Sequence, residues 1–293
     1  MIRKPMSTLL AYPNVSEGRD AEAIARIAVA FGPGLLDVHS DLDHHRSAYT
    51  LAGEPGELAR AVVRGAAKAV ELVRIDTHEG VHPRVGAIDV APIVYLDDSD
   101  RGAACAEALV LADLLAEELE LPVFLYGSLA GGRTRAELRR GGPVELARRI
   151  GAGELRPDFG PPRLHPTAGA VLVAARRPLV AFNVELEPPA TLHDAKDIAA
   201  LIREGGQEGL TGVRAIGLWL SESGLAQVST NVEDHVSTPL SAVVQAVARH
   251  APVAGAELVG LAPRAAFDGF PDAVPLRGYA TIEESLQSRA RTA

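Results

Sequence analysis

The sequence predicts an α/β protein of the α+β kind: two ferredoxin-like βαββαβ subdomains. Three observations carry that expectation. Apolar residues recur along the chain at the two-residue period of strands or the 3.6-residue period of helices. The resulting order of elements is β-α-β-β-α-β near the start and again near the end. The 293 residues, 47% of them hydrophobic, suffice to bury a substantial core. The expected subdomains are residues 1–176 and 177–293, the second ending in a polar tail.

In the first subdomain, Thr8–Tyr12 is a short apolar strand that ends in a Pro13-Asn14 turn. Ile24, Ile27, Ala28 and Phe31 recur at helical spacing. Gly34–His39 and Arg46–Leu51 read as strands joined by the turn Asp41–His45. A long helix, Pro55–Val73, carries Leu58, Val62, Ala66 and Val70 on one stripe. Ala87–Leu96 reads as a buried strand. A helix over Gly102–Leu119, a strand over Pro122–Tyr126 and further helix over Arg133–Gly153 follow. Arg156–Pro166 holds four prolines and reads as an irregular loop before the strand Ala168–Ala174.

The second subdomain starts with the strand Leu179–Leu186 and the helix Pro189–Arg203, with Ile198, Leu201 and Ile202 inward. Strands Val213–Leu220 and Ala226–Val232 flank the turn Ser221–Gly224. The helix Pro239–His250 and the strand Glu257–Leu261 complete the repeat. Beyond Asp268 the chain is polar, and Thr281 with Glu284 fits a capping box for a short surface helix.

Charge narrows the partners. With 29 basic against 38 acidic residues the net charge is −9, which argues against nucleic acid or an anionic membrane surface. An anionic ligand then needs local arginines. Cys105 is the single cysteine and sits in a helix, where a small buried residue is the expected role. No apolar run reaches the ~20 residues of a membrane span. The start, with Arg3 and Lys4, has an apolar stretch too short for a signal peptide, so the expected location is cytoplasmic.

Four runs bear on chemistry. Gly127 to Thr134 has P-loop glycine spacing, but Arg133 stands where the phosphate-reaching lysine belongs, so a strand-to-helix turn is expected. His78-Glu79-Gly80-Val81-His82 spells H-E-x-x-H, the zinc-protease motif. That motif needs a helix, and Gly80 and Pro83 deny one. The expectation is therefore a loop and no metal. His39, Asp41, Asp43, His44 and His45 loosely resemble the H-x-H-x-D-H loop of binuclear metal hydrolases, with Asp41 where that loop has histidine. A polar turn and a ligand site are both open readings of this cluster. In the strand Ala226–Val232, Gln227, Ser229 and Asn231 share one face, either solvated or lining a polar cleft.

Several runs, in register along the chain, resemble one family. They are Pro13-Asn14-Val15-Ser16-Glu17-Gly18, His82-Pro83-Arg84-Val85-Gly86-Ala87-Ile88-Asp89-Val90, Leu125-Tyr126-Gly127, Pro157-Asp158-Phe159-Gly160-Pro161, Ala181-Phe182-Asn183-Val184, Gln227-Val228-Ser229-Thr230-Asn231 and Glu257-Leu258-Val259-Gly260-Leu261. The family is glutamate formimidoyltransferase, the formiminotransferase domain of the formiminotransferase-cyclodeaminases. The resemblance implies transfer of a formimino group from N-formiminoglutamate to tetrahydrofolate in histidine degradation and one-carbon metabolism. Formyl transfer from formylglutamate is the variant of that reaction. It further implies two ferredoxin-like subdomains with folate between them, and a homodimer. The chain leaves no room for a fused cyclodeaminase, so ring closure would fall to a separate protein or not take place.

By the same resemblance, His82 is the catalytic general base and acid. The folate loop is Gly160, Pro161, Pro162, Arg163, Leu164, His165, Pro166, Thr167, Ala168 and Gly169. Family members carry aspartate at the place of His39 and asparagine at that of His45. His39, His45, His78, Asp89, Gln227, Ser229 and Asn231 join the expected substrate- and folate-binding set. Arg46, Arg84 and Arg163 are candidates for carboxylates through forked hydrogen bonds. Tetrahydrofolate is a co-substrate here, and no metal is expected. Two other readings stand beside this one: a metal-dependent hydrolase built on His78, Glu79, His82 and the His39–His45 cluster, and a folate-binding protein without turnover.

Overall fold

The computed structural model describes residues 8–292, so Arg3 and Lys4 lie outside the described residues. The chain divides into two compact units between Arg177 and Pro178.

The first unit starts with β1 (Leu9–Ala11) and β2 (Asn14–Val15), one strand path broken at Pro13, which has no amide to give a neighbouring strand. Helix α1 (Ala21–Phe31) is capped by Asp20, whose carboxylate accepts from Glu22 and Ala23 N–H at 2.9 and 3.0 Å. Its inward residues are Ala23, Ile27 and Phe31. β3 (Leu35–Asp41) and β4 (Arg46–Gly53) form a hairpin, and α2 (Glu57–Leu72) follows. No side chain of its own caps α2. The buried Glu107 does so from afar, accepting from Gly56 and Ala59 N–H at 2.6 and 2.7 Å. A second broken path, β5 (Ile88–Val90) and β6 (Ile93–Val94), parts at Pro92. Then come α3 (Arg101–Leu119), which carries Glu107, β7 (Val123–Leu125), α4 (Arg135–Arg139), α5 (Gly142–Gly151), β8 (Val171–Val173) and β9 (Ala175–Arg176).

Strand pairing gives the ferredoxin-like order. The path β1/β2 lies between β4 and β5/β6, and β3 flanks β4, all antiparallel. The sheet then grows past the repeat: β8/β9 pair with β5/β6 and β7 pairs with β8, all parallel. The core packs Ile27, Phe31, Tyr49, Val62, Leu111 and Leu115 against the sheet. The helix expected over Arg133–Gly153 is instead two. Thr134 and Glu137 form a capping box for α4, and Gly141 and Gly142, with φ of 73° and 68°, break the path before α5.

The second unit repeats the order. β10 (Val180–Leu186), α6 (Leu192–Ile202), β11 (Val213–Leu220), β12 (Leu225–Val232), α7 (Leu240–Ala248) and β13 (Val253–Val259) build an antiparallel sheet ordered β11-β12-β10-β13. Thr191 and Asp194 cap α6 reciprocally. Phe182, Val184, Val228 and Leu258 of the sheet pack with Ile198, Ile202, Val243 and Val247 of the helices.

Two expectations for this end of the chain need correction. β13 begins at Val253, earlier than Glu257, because its pairing with β10 starts at Leu186. The polar tail holds a further strand, β14 (Leu276–Arg277), parallel to β13, while the short helix expected after Thr281 is present as α8 (Ile282–Thr292). Thr281 does accept from Glu284 N–H, at 3.3 Å, but the Glu284 carboxylate pairs with Arg264. Among the described residues no helix is long and apolar enough to cross a membrane.

Candidate active site

Between α2 and β5 the chain is irregular, so the H-E-x-x-H run is a loop, as Pro83 and Gly80 require. One side chain braces it. Arg84 donates from Nη1 to the carbonyls of Gly80 (2.8 Å) and His82 (3.1 Å), and from Nη2 to that of His78 (2.6 Å). Arg84 therefore supports the loop from within, a different position from that of a forked clamp open to a ligand.

A second loop is sewn to the first. Ile75 N–H donates to Thr167 O (2.7 Å), Ala87 N–H to Ala168 O (2.8 Å) and Ala170 N–H to Val85 O (3.0 Å). The approach is so close that a Cβ on Gly86 would lie 1.9 Å from Ala170 O. Gly169 faces Val85 O across this seam with a left-handed φ of 71°. The segment Gly160–Gly169 thus ends beside His82's loop. Within it, His165 Nδ1 accepts from Ala168 N–H at 3.0 Å, and His165 and Gly169 exchange backbone bonds of 2.9 and 3.0 Å. His165 is thereby a brace of its own turn, while Pro162, Arg163 and Pro166 are exposed.

His82 Nδ1 lies 2.8 Å from Pro83 O. A carbonyl only accepts, so Nδ1 carries the hydrogen and Nε2 keeps the lone pair. Burial, then the Arg46 and Arg139 guanidiniums and His44, hold this imidazole well below its ordinary pKa. The His44 ring is 6.0 Å away, and His44 N–H donates to Asp41 Oδ1 at 2.6 Å. The polar-turn reading of that cluster thus has its capping bond.

His78 is arranged differently. Its Nε2 donates to His45 O at 3.2 Å, and its ring stacks on His45 at 4.2 Å. Burial, Arg84 and His45 push its pKa down to about 4. His45 has a left-handed φ of 48° and accepts from Gly18 N–H at 3.1 Å. Its pKa is lowered by burial against the opposing pull of Glu17, whose Oε1 is 3.4 Å away. His39 sits in β3 opposite Ala48. Among the described residues no group of three or more His, Cys, Asp or Glu side chains is arranged to hold a metal ion.

Beneath the loop lies Asp89, with no exposed surface. Its Oδ1 accepts from Val85 N–H at 2.8 Å. Its Oδ2 takes Arg46 Nη1 at 2.7 Å and Arg139 Nη2 as well. Burial works to raise the Asp89 pKa, but the two guanidiniums outweigh it and hold the carboxyl ionised, below its usual value. Sequence reasoning missed Arg139: α4 is a five-residue helix, 50 residues from Asp89, in a stretch already rich in arginine. Arg133, by contrast, is spent on Leu125 O and Asp158.

In the second unit, Gln227, Ser229 and Asn231 lie on the sheet face away from the helices, opposite Glu185, Asn183 and Ala181. Gln227 is fully buried. Asn183 Nδ2 donates to Glu257 Oε2 at 3.1 Å, and Arg277 forks onto Glu185 at 2.9 and 2.6 Å.

The sequence matches the profile of the formiminotransferase domain's N-terminal subdomain over residues 8–176 and that of the formiminotransferase domain over 181–269. It is 40% identical over 278 residues to the formimidoyltransferase-cyclodeaminase of Sus scrofa. That alignment covers 88% of this chain and 51% of the relative, so the chain spans about half the length of such fused proteins. Two unfused relatives are matched almost end to end. The glutamate formimidoyltransferase of Streptococcus pyogenes serotype M1 is 34% identical, with 86% of this chain and 87% of the relative covered. That of Thermoplasma acidophilum is 33% identical, with 89% and 90% covered. The two units, their strand order and these matches together make this chain a member of the formiminotransferase family.

Proposed function

We propose that the protein transfers a formimino group from N-formiminoglutamate to tetrahydrofolate, with His82 as the proton carrier. The observation that carries the reading is the His82 imidazole, neutral and with its Nε2 lone pair unspent, on a loop braced by Arg84. The pterin nitrogen attacks the amidine carbon, and its proton passes to Nε2 as the C–N bond forms. The imidazolium then returns that proton to the glutamate nitrogen as the old C–N bond breaks. One imidazole serves both steps because attack and departure follow one another. Pro83 O, accepting from Nδ1–H, stabilises the imidazolium between them.

Folate is assigned to the Gly160–Gly169 loop, with the exposed Arg163 free to meet a folate carboxylate. The names of the unfused relatives support the donor, and the names of the fused ones support a cyclodeaminase as consumer of the product. The test is a transfer assay with purified protein, tetrahydrofolate and either N-formimino- or N-formyl-glutamate. Formation of the substituted folate is expected. No transfer from either donor, or calorimetry showing no binding of any reduced folate at millimolar concentration, contradicts the proposal.

A further inference from the structure

Arg46 and Arg139 come from different elements, β4 and α4, and converge on one oxygen of Asp89. Two guanidiniums against one carboxylate leave a surplus of one positive charge, and both arginine side chains are only 11% exposed. A buried surplus charge is costly unless something answers it. Asp89 is fully used, since its other oxygen accepts from Val85 N–H. Arg46 also spends its Nε on Asn14 Oδ1, at 2.9 Å. Arg139 has a buried Nε with no hydrogen-bond partner. Its guanidinium thus keeps donors beyond the one that Asp89 takes.

The charged groups acting on His82 are Arg46 from β4, Arg139 from α4 and His44 from the hairpin turn; Arg135 of α4 lies near Arg46, Asp41 Oδ1 lies 3.9 Å from His44 Nδ1, and Arg84 of the His82 loop feels Asp89 of β5. We propose that Arg139, with Arg46, is a docking site for a carboxylate, and that this carboxylate belongs to the group donor, seated beside His82. The anion site stands on the geometry alone, whereas the donor's identity rests on the transferase reading above. The arrangement also gives the site a logic. Without the anion, the arginines keep His82 weakly basic. An arriving carboxylate cancels the surplus charge and strengthens the base when there is a donor to act on. Arg139 is a binding and positioning residue in this account, since it touches the donor's carboxylate and not the atoms that react.

The test uses the whole chain and L-glutamate as probe. Arg139→Gln should weaken L-glutamate binding by about 10- to 100-fold, as the loss of one charge-assisted contact does, and leave tetrahydrofolate affinity unchanged. Arg139→Lys, which keeps the charge without the fork, should fall between. In the unmodified protein, saturation with L-glutamate should raise the His82 titration midpoint read by ring-proton NMR. Wild-type affinity in Arg139→Gln overturns the proposal. So does wild-type affinity in a folded Arg139→Lys if the glutamine variant does not fold, and so does a His82 midpoint that ignores glutamate. Glutamate binding through Arg139 without any formimino transfer would keep the anion site and remove the transferase reading. Transfer with donor KM unmoved by Arg139→Gln would do the reverse.

Discussion

The two units share a strand order but keep their polar groups in different places. In the first, imidazoles and guanidiniums crowd the connections: the β3–β4 turn, the loop before β5, and α4. In the second they lie within the strands, as Asn183, Glu185, Gln227 and Glu257 on the face away from the helices. The difference teaches what each arrangement asks of the fold. A loop has no backbone ladder to fix it, so the first unit fixes its loop with side chains, Arg84 to three carbonyls and Asp89 to Val85. The second unit inherits its geometry from strand pairing and pairs its acids with Arg277, which is 59% exposed. The first arrangement is the more fragile.

Charge removal should show that contrast most strongly. Asp89→Ala strands two buried guanidiniums and should cost about 3–5 kcal/mol in urea unfolding followed by a probe in the first unit. Glu185→Ala leaves Arg277 able to turn to water and should cost about 1 kcal/mol or less. Equal costs would break the comparison. Backbone seams come next. Gly86→Ala pushes a methyl into Ala170 O and should cost about 1–3 kcal/mol, with folate affinity falling as the Gly160–Gly169 loop loosens. Gly224→Ala, in the open β11–β12 turn at φ 68°, should cost only the left-handed penalty of about 1 kcal/mol and leave folate binding alone.

The pH dependence belongs to the first unit. His45, His78 and His82 all have pKa values below the ordinary imidazole value, with His78 near 4. Such a group takes up a proton more readily once the chain unfolds, so protonation favours the unfolded state. Its stabilisation is full above the unfolded pKa of about 6.5 and is lost as pH falls from there toward 4. Urea midpoints measured between pH 7 and 5 should therefore fall, and fall less in His78→Gln. A midpoint rising on acidification would contradict the burial of these rings. On activity, His78→Ala should reduce turnover only about 10-fold, as loss of a supporting contact does.

Much of the fold was legible because local periodicity and strand pairing agree. Ile24, Ile27 and Phe31 make a helix stripe, and Val213–Leu220 with Ala226–Val232 make a hairpin about an open turn. The misses are non-local. Ala254, Gly255 and Ala256 carry too little apolar signal to announce a strand, and β14 exists because β13 is beside it. Within the site, the loop between α2 and β5 was legible because Gly80, Pro83 and Gly86 deny regular structure to a run dense in histidine, but it ends at Ile88, where β5 begins, and Asp89 belongs to the strand. Arg84 looked like a ligand clamp because its charge shows in sequence and its three carbonyl partners do not. Arg139 could be found only by the fold that carries α4 to Asp89.

The central claim is that His82 moves the proton, and one set of kinetics tests it directly. Steady-state formimino transfer from N-formiminoglutamate to tetrahydrofolate would be measured for wild type, His82→Ala and His78→Ala, with folate affinity determined for each. His82→Ala should lose about 100- to 10,000-fold in turnover at nearly unchanged folate affinity, the range for removing a general acid–base group, and far more than His78→Ala. Turnover near wild type in His82→Ala would contradict the account, as would equal, near-complete loss in both variants together with loss of a bound metal.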